Sequence, residues 1–150
     1  MIKKVILENK KYDYTYLDQI FYGLGHIEKK YNWLIADYEC NYYPNDQFNK
    51  NRHHFIWLTG EQLNHLITKH KIQFIWGVFL AFDKDIKCDD VLKSGIPSSH
   101  INVIKDKVCM QNTLSVLEII ANDSQKVYIF SKINKYIKEF LLKFPEAKEL

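Results

Sequence analysis

Between Ile72 and Phe82 the chain is almost continuously apolar, with Phe74, Ile75, Trp76, Val78, Phe79, Leu80 and Phe82 in close succession. The run is too short to cross a bilayer as a helix, which needs about 20 residues. It also lacks the polar stripe of an amphipathic helix, and its branched and aromatic residues favour an extended backbone. It therefore reads as a central strand buried on both faces. Such a strand requires neighbours on either side and a layer packed over each face, so the rest of the chain has to supply a sheet and its covers. Gly77 within the run marks a bulge or a close backbone approach.

The flanking sequence supplies those parts. Residues 2–8, Tyr31–Tyr38 and Phe55–Leu58 read as strands, and Thr113–Ala121 and Lys126–Ser131 as a hairpin joined by the polar turn 122–125. Leu17, Ile20, Phe21 and Leu24 recur at helical spacing across 16–28, with Gly23 and Gly25 weakening the second half. Thr59-Gly60-Glu61-Gln62 has the pattern of a capping box, opening a helix over 60–70 that carries Leu63, Leu66 and Ile67 on one stripe. A short helix starts at Asp89 or Asp90 and ends near Gly95. Ile133, Tyr136, Ile137, Phe140, Leu141 and Phe144 predict a closing amphipathic helix with Lys132, Lys135, Lys138 and Lys143 outside. Glu139 and Lys143 are spaced to pair. The polar run Asn41–Arg52 reads as a loop. Strands and helices mix without strict alternation, so the expected fold class is α+β: a single domain over 1–150 with a mostly antiparallel sheet and two to three packed helices.

Composition narrows the function classes. At 150 residues, 47% apolar and 26% charged, the chain is an ordinary globular domain, able to bury roughly two-thirds of its unfolded surface. Neither Pro nor Gly clusters into a linker, and no repeat is visible. A formal charge of +3 is too small to argue for nucleic acid. The apolar stretch Val5–Leu7 is too short for a signal-peptide core, and no window is long enough for a membrane helix. Cys40, Cys88 and Cys109 are odd in number and widely spaced, which suits free thiols in a reducing compartment. The expectation is a cytoplasmic protein without a membrane partner.

No constellation specifies catalysis or a cofactor. His65 and His70 lie five apart, about 140° around a helix axis, and His53-His54 point to opposite sides of an extended chain, so no metal pattern forms. The five glycines do not make a phosphate loop, and no nucleophile elbow is present. Cys88 sits beside Asp89 and Asp90, which disfavour a thiolate. The remaining enzymatic option is the carboxylate group Asp83, Asp85, Asp89 and Asp90, which could serve a small metal-assisted hydrolase. A solvated acidic turn is the simpler account.

The uneven feature is tyrosine. Eight of the ten tyrosines lie within residues 12–46, less than a quarter of the chain. The same window holds six carboxylates against Lys29 and Lys30, a net of −4. Seven of nine phenylalanines, by contrast, follow residue 50, in segments that read as core. Tyrosine offers contact area at small entropic cost together with a polar tip, as recognition surfaces require. The candidate partner-binding residues are therefore Tyr12, Tyr14, Asp37, Tyr38, Glu39, Tyr42, Tyr43 and Asp46. An acidic, tyrosine-rich face would attract a protein with a basic surface and repel nucleic acid. The alternative is that several of these tyrosines only cap the sheet edge. The lysine stripe of the last helix, with Lys126, is the one feature that could approach a phosphate backbone, and it reads as a solvated face.

Three segments, Trp57-Leu58-Thr59-Gly60-Glu61-Gln62-Leu63, Ile75-Trp76-Gly77-Val78-Phe79-Leu80-Ala81-Phe82 and Phe144-Pro145-Glu146-Ala147, are similar in style and order to stretches of small proteins from low-GC Gram-positive bacteria. Some of those resemble immunity proteins of polymorphic toxin systems. The resemblance implies a non-enzymatic inhibitor that occludes a toxin or effector, and it carries over no catalytic residue. Immunity proteins against nuclease toxins tend to be acidic, whereas this chain is slightly basic, so recognition would rest on the local acidic face. A self-associating structural protein, a homodimer pairing its tyrosine-rich faces, is the remaining expectation.

Overall fold

The computed structural model describes residues 2–8, 15–100 and 110–150. Seven strands form one sheet: β1 (Lys3–Glu8), β2 (Asn32–Cys40), β3 (Phe55–Leu58), β4 (Phe74–Phe82), β5 (Leu117–Asn122), β6 (Lys126–Ser131) and β7 (Lys148–Glu149). Their order is β3-β2-β4-β5-β6-β1-β7, and every neighbouring pair is antiparallel. The five α-helices among the described residues are α1 (Leu17–Gly23), α2 (Asp46–Lys50), α3 (Gly60–Lys69), α4 (Cys88–Leu92) and α5 (Asn134–Lys143). This is the α+β architecture expected from the sequence, and β4 is the interior strand that its apolar run required.

Strand alternation divides the core in two. One face of the sheet, with Val5, Trp33, Ile35, Phe79, Ile119 and Ile129, packs against α1, α3 and α5 through Ile20, Phe21, Leu63, Ile137 and Phe140. The opposite face, with Leu34, Val78, Leu80, Phe82, Ile120 and Phe130, is covered by Val91 of α4 and by Met110. From Val78 to Phe82 every residue of β4 is fully buried, so both faces of this strand contribute the hydrophobic stabilisation that single-faced strands give once.

Local chemistry explains the element ends. The capping box forms as the sequence indicates: the Gln62 amide donates to Thr59 Oγ1 at 3.1 Å and the Thr59 amide donates to Gln62 Oε1 at 2.9 Å. Gly60 begins α3 hard against the turn 28–31; a Cβ there would stand 2.4 Å from the Glu28 carbonyl oxygen and 2.6 Å from that of Tyr31. The run 41–52 is not wholly loop. Asn45 caps α2 by accepting the Phe48 amide at 3.0 Å, and Phe48 enters the core on the helical side. The short polar helix escaped a reading based on apolar periodicity because a single turn contributes only one buried residue.

Candidate functional site

The signal that Gly77 gave belongs to its neighbour. Across β2 and β4, Ala36 pairs with Val78 and Glu39 pairs with Trp76, so Asp37 and Tyr38 together face the single residue Gly77. The bulge is in β2. Asp37 takes the left-handed conformation there, with φ +48, a region that costs a non-glycine residue about 1 kcal/mol and that Asp tolerates better than most. One extra residue restores alternation beyond the bulge, sending Tyr38 and Cys40 to the helical face and leaving Glu39 beside Trp76 on the other.

Among the described residues, the Asp37 carboxylate is held through one oxygen. Its Oδ2 accepts the Ser99 amide at 2.7 Å, the Ser99 hydroxyl at 2.8 Å and the Ser98 hydroxyl at 3.2 Å, and His100 Nε2 lies 4.0 Å away. Burial pushes this carboxyl up, but the Ser99 amide and hydroxyl, the Ser98 hydroxyl and His100 outweigh it and hold the group below the usual range. Oδ1 accepts no hydrogen bond among the described residues, and the side chain is 37% exposed. The His100 ring lies over Trp76, with centroids 4.4 Å apart. Gln111 fixes the serine segment by accepting the Ser98 amide at 2.8 Å and donating to the Ser98 carbonyl at 3.0 Å. The Gln111 amide in turn donates to buried Glu118 of β5 at 2.9 Å. A chain of hydrogen bonds thus runs from β5 to the bulge of β2 and sets the direction of the Asp37 carboxylate.

The other candidates occupy the helical side. Tyr38 is buried and its hydroxyl donates to the Phe48 carbonyl; burial, with Cys40 and Tyr43 adding to it, pushes its phenol up. It supports the face from beneath. Tyr43 is half-buried against Tyr38, and the Arg52 guanidinium stands 5.9 Å over its ring. Tyr42 is 40% exposed beside His70, and Asp46 is exposed in the first turn of α2. Next to them a groove of about 400 Å³ opens between α2 and α3, floored by Phe48, Leu58 and Leu66 and rimmed by Asn45, Gln47, Glu61, Gln62 and His65. Tyr12 and Tyr14 lie outside the described residues.

The fold therefore distributes the sequence-derived set over two faces of the β2 end of the sheet. Tyr38 and Tyr43 pack on the helical side, where Asn45, Gln47 and Phe48, the neighbours of Asp46, line the groove, while Asp37 and Glu39 stand with Trp76 and His100 on the opposite face. Folding also brings cations from elsewhere onto the tyrosines: Lys71 lies 5.4 Å over Tyr16 and Lys143 lies 4.7 Å over Tyr22. The described carboxylates of this window, Asp18, Glu28, Asp37, Glu39 and Asp46, form no salt bridge with Lys or Arg among the described residues, and Asp37 has His100 Nε2 at 4.0 Å. Sequence reasoning missed Trp76, Ser98, Ser99, His100 and Gln111. Ser98-Ser99-His100 after Pro97 reads only as a polar stretch, and nothing in the order of residues says which strand it crosses.

The acidic turn does not assemble a centre. Asp83, Asp85, Asp89 and Asp90 are exposed, Asp90 pairs with Lys93 at 3.0 Å, and no group of three or more His, Cys, Asp or Glu among the described residues is placed to hold a metal ion. Burial and then Asp89 push the Cys88 thiol up, and burial with Glu39 does the same for Cys40. Cys109 lies outside the described residues. In the lysine stripe, Lys132 donates to the Thr113 carbonyl at 2.6 Å and Lys143 pairs with Glu139 at 3.0 Å. No helix among the described residues is long and apolar enough to cross a membrane. Comparison with protein-family models, with curated proteins and with solved structures returns no match.

Proposed function

We propose that this chain is a non-enzymatic protein-binding domain that occludes a partner with a basic surface, in the manner of an immunity-type inhibitor of a toxin or effector. The observation that carries the reading is the Asp37 carboxylate, with Oδ2 fixed by three hydrogen bonds from Ser98 and Ser99 and Oδ1 accepting none among the described residues. An acceptor oriented in advance loses little freedom when a lysine or arginine docks on it, and preorganisation of this kind raises affinity more than contact area does. Glu39 extends the same negative patch, and exposed Tyr42, beside His70, offers an aromatic anchor. Segments 57–63, 75–82 and 144–147 resemble stretches of small proteins from low-GC Gram-positive bacteria, some of which resemble immunity proteins, and this is in line with an inhibitory role. The free thiols of Cys40 and Cys88 suit a cytoplasmic setting.

The test is affinity capture from native cells with the tagged parent beside a Tyr42→Ala/Tyr43→Ala/Glu39→Ala variant. A stoichiometric basic protein retained by the parent and lost by the variant is the expected result. Equal retention by both, a clean blank from both, or recovery of only a second copy of the chain counts against the proposal.

A further inference from the structure

At the far end of the sheet, the turn after α1 and the start of α5 enclose a cleft of about 160 Å³, bordered by Leu24, Ile27, Lys30, Lys135, Tyr136 and Glu139. Behind it the hydroxyls of Tyr31 and Tyr136 approach to 2.6 Å, both rings being at most 6% exposed. Two hydroxyls carry two protons, and the single bond between them uses one. The second has no acceptor among the described residues, and a buried donor without an acceptor is an unfavourable arrangement. Either hydroxyl can be the donor of that bond; when Tyr31 donates, the second proton belongs to Tyr136, the member of the pair that borders the cleft.

The charges around the cleft point to what would complete it. Lys30 and Lys135 form no ion pair among the described residues, whereas Glu139, the one acid in the wall, is engaged by Lys143 at 3.0 Å. The local balance is positive beside an unused hydroxyl donor. The space corresponds to several water molecules, at about 30 Å³ each, which accommodates a small oxyanion. We propose that this cleft binds a small oxyanion of phosphate or carboxylate type, with Lys30 and Lys135 supplying the charge and the Tyr136 hydroxyl donating its free proton. The site is independent of the partner-binding face.

Isotope-labelled protein titrated with inorganic phosphate, and separately with acetate, at constant ionic strength tests it through backbone amide shifts. Saturable shifts confined to residues 24–30 and 134–139 are expected with at least one of the two anions. A Lys30→Gln/Lys135→Gln variant, altered only at exposed positions, should bind about tenfold or more weakly, as loss of charged hydrogen-bond donors implies. Lys138→Gln, on the same helix but away from the cleft, should leave binding unchanged. Shifts that fail to saturate with either anion, that spread over the surface, or that persist in the double lysine variant overturn the proposal.

Discussion

Ser99 grips Asp37 twice, its amide and its hydroxyl both donating to the same carboxylate oxygen at 2.7 and 2.8 Å. A residue on the segment covering one face of the sheet thereby fixes a strained residue in the middle of β2. The bulge and the segment stabilise each other, with Gln111 holding Ser98 and Trp76 under His100 adding support from the segment's side.

Asp37→Asn should therefore lower stability at neutral pH by about 1 kcal/mol, a value reduced from that of a buried charged hydrogen bond because the side chain is partly exposed. Its carboxyl is held below the usual range, so its contribution is present above the ordinary Asp value and is lost as pH falls through the depressed one. Urea unfolding of parent and variant should show a difference that closes below about pH 4. A constant difference across that range would contradict the assignment.

Glu118 has the opposite sign. It is fully buried, and it accepts the amides of Gln111 and Asn112 at 2.9 and 3.0 Å and the Ser115 hydroxyl at 2.8 Å. Burial pushes this carboxyl up, while those three donors and Lys132 oppose the rise without cancelling it. Its native form takes up a proton at higher pH than the unfolded chain, so its contribution falls as pH rises through the window above the ordinary Glu value. Glu118→Gln keeps an oxygen for the Asn112 amide and the Ser115 hydroxyl but sets its NH2 against the Gln111 amide, and should cost about 2 kcal/mol at neutral pH. Compared with the variant, the parent should gain stability on acidification towards about pH 4.5; a parent that loses stability relative to the variant over that interval would refute this.

Gly60→Ala raises helix propensity and should nevertheless destabilise the protein. The new methyl would meet two backbone carbonyl oxygens at 2.4 and 2.6 Å, and backbone cannot move aside as a side chain can. A loss of about 2 kcal/mol or more is expected, read as a lower urea midpoint. An unchanged or raised midpoint would show that α3 can shift away from the turn 28–31.

Asn45→Ala removes the cap of α2 and should cost about 1 kcal/mol. Because α2 forms one wall of the groove, faster amide exchange should appear at residues 46–50 with little change in β4. Exchange unchanged in α2 would mean that the burial of Phe48, and not the cap, holds this turn.

The parts of the fold that rest on local chemistry could be read from residue order. The capping box at Thr59 and Gln62, the central position of β4 and the Glu139–Lys143 pair all depend on neighbours close in sequence. What escaped the sequence depends on register. Gly77 signalled an irregularity without showing that it lay across the ladder in β2, and the bulge decides that Asp37 and Glu39 part from Tyr38, Tyr42 and Tyr43. The tyrosine cluster is compact in sequence, yet Arg52, Lys71 and Lys143 reach its rings only through tertiary packing. Ser99 and Asp37 are 62 residues apart, and no local pattern could have joined them.

The central claim is that a basic partner docks on Asp37 and Glu39, which pair with no Lys or Arg among the described residues. The most direct measurement is the dissociation constant of the captured partner for the parent and for Glu39→Lys, an exposed change that leaves the bulge intact, at low salt and at high salt. About tenfold or greater weakening of the variant at low salt, narrowing as salt is raised, is expected for a charge contact at this position. Equal affinity of parent and variant at low salt would place the interface elsewhere and contradict the reading of this face.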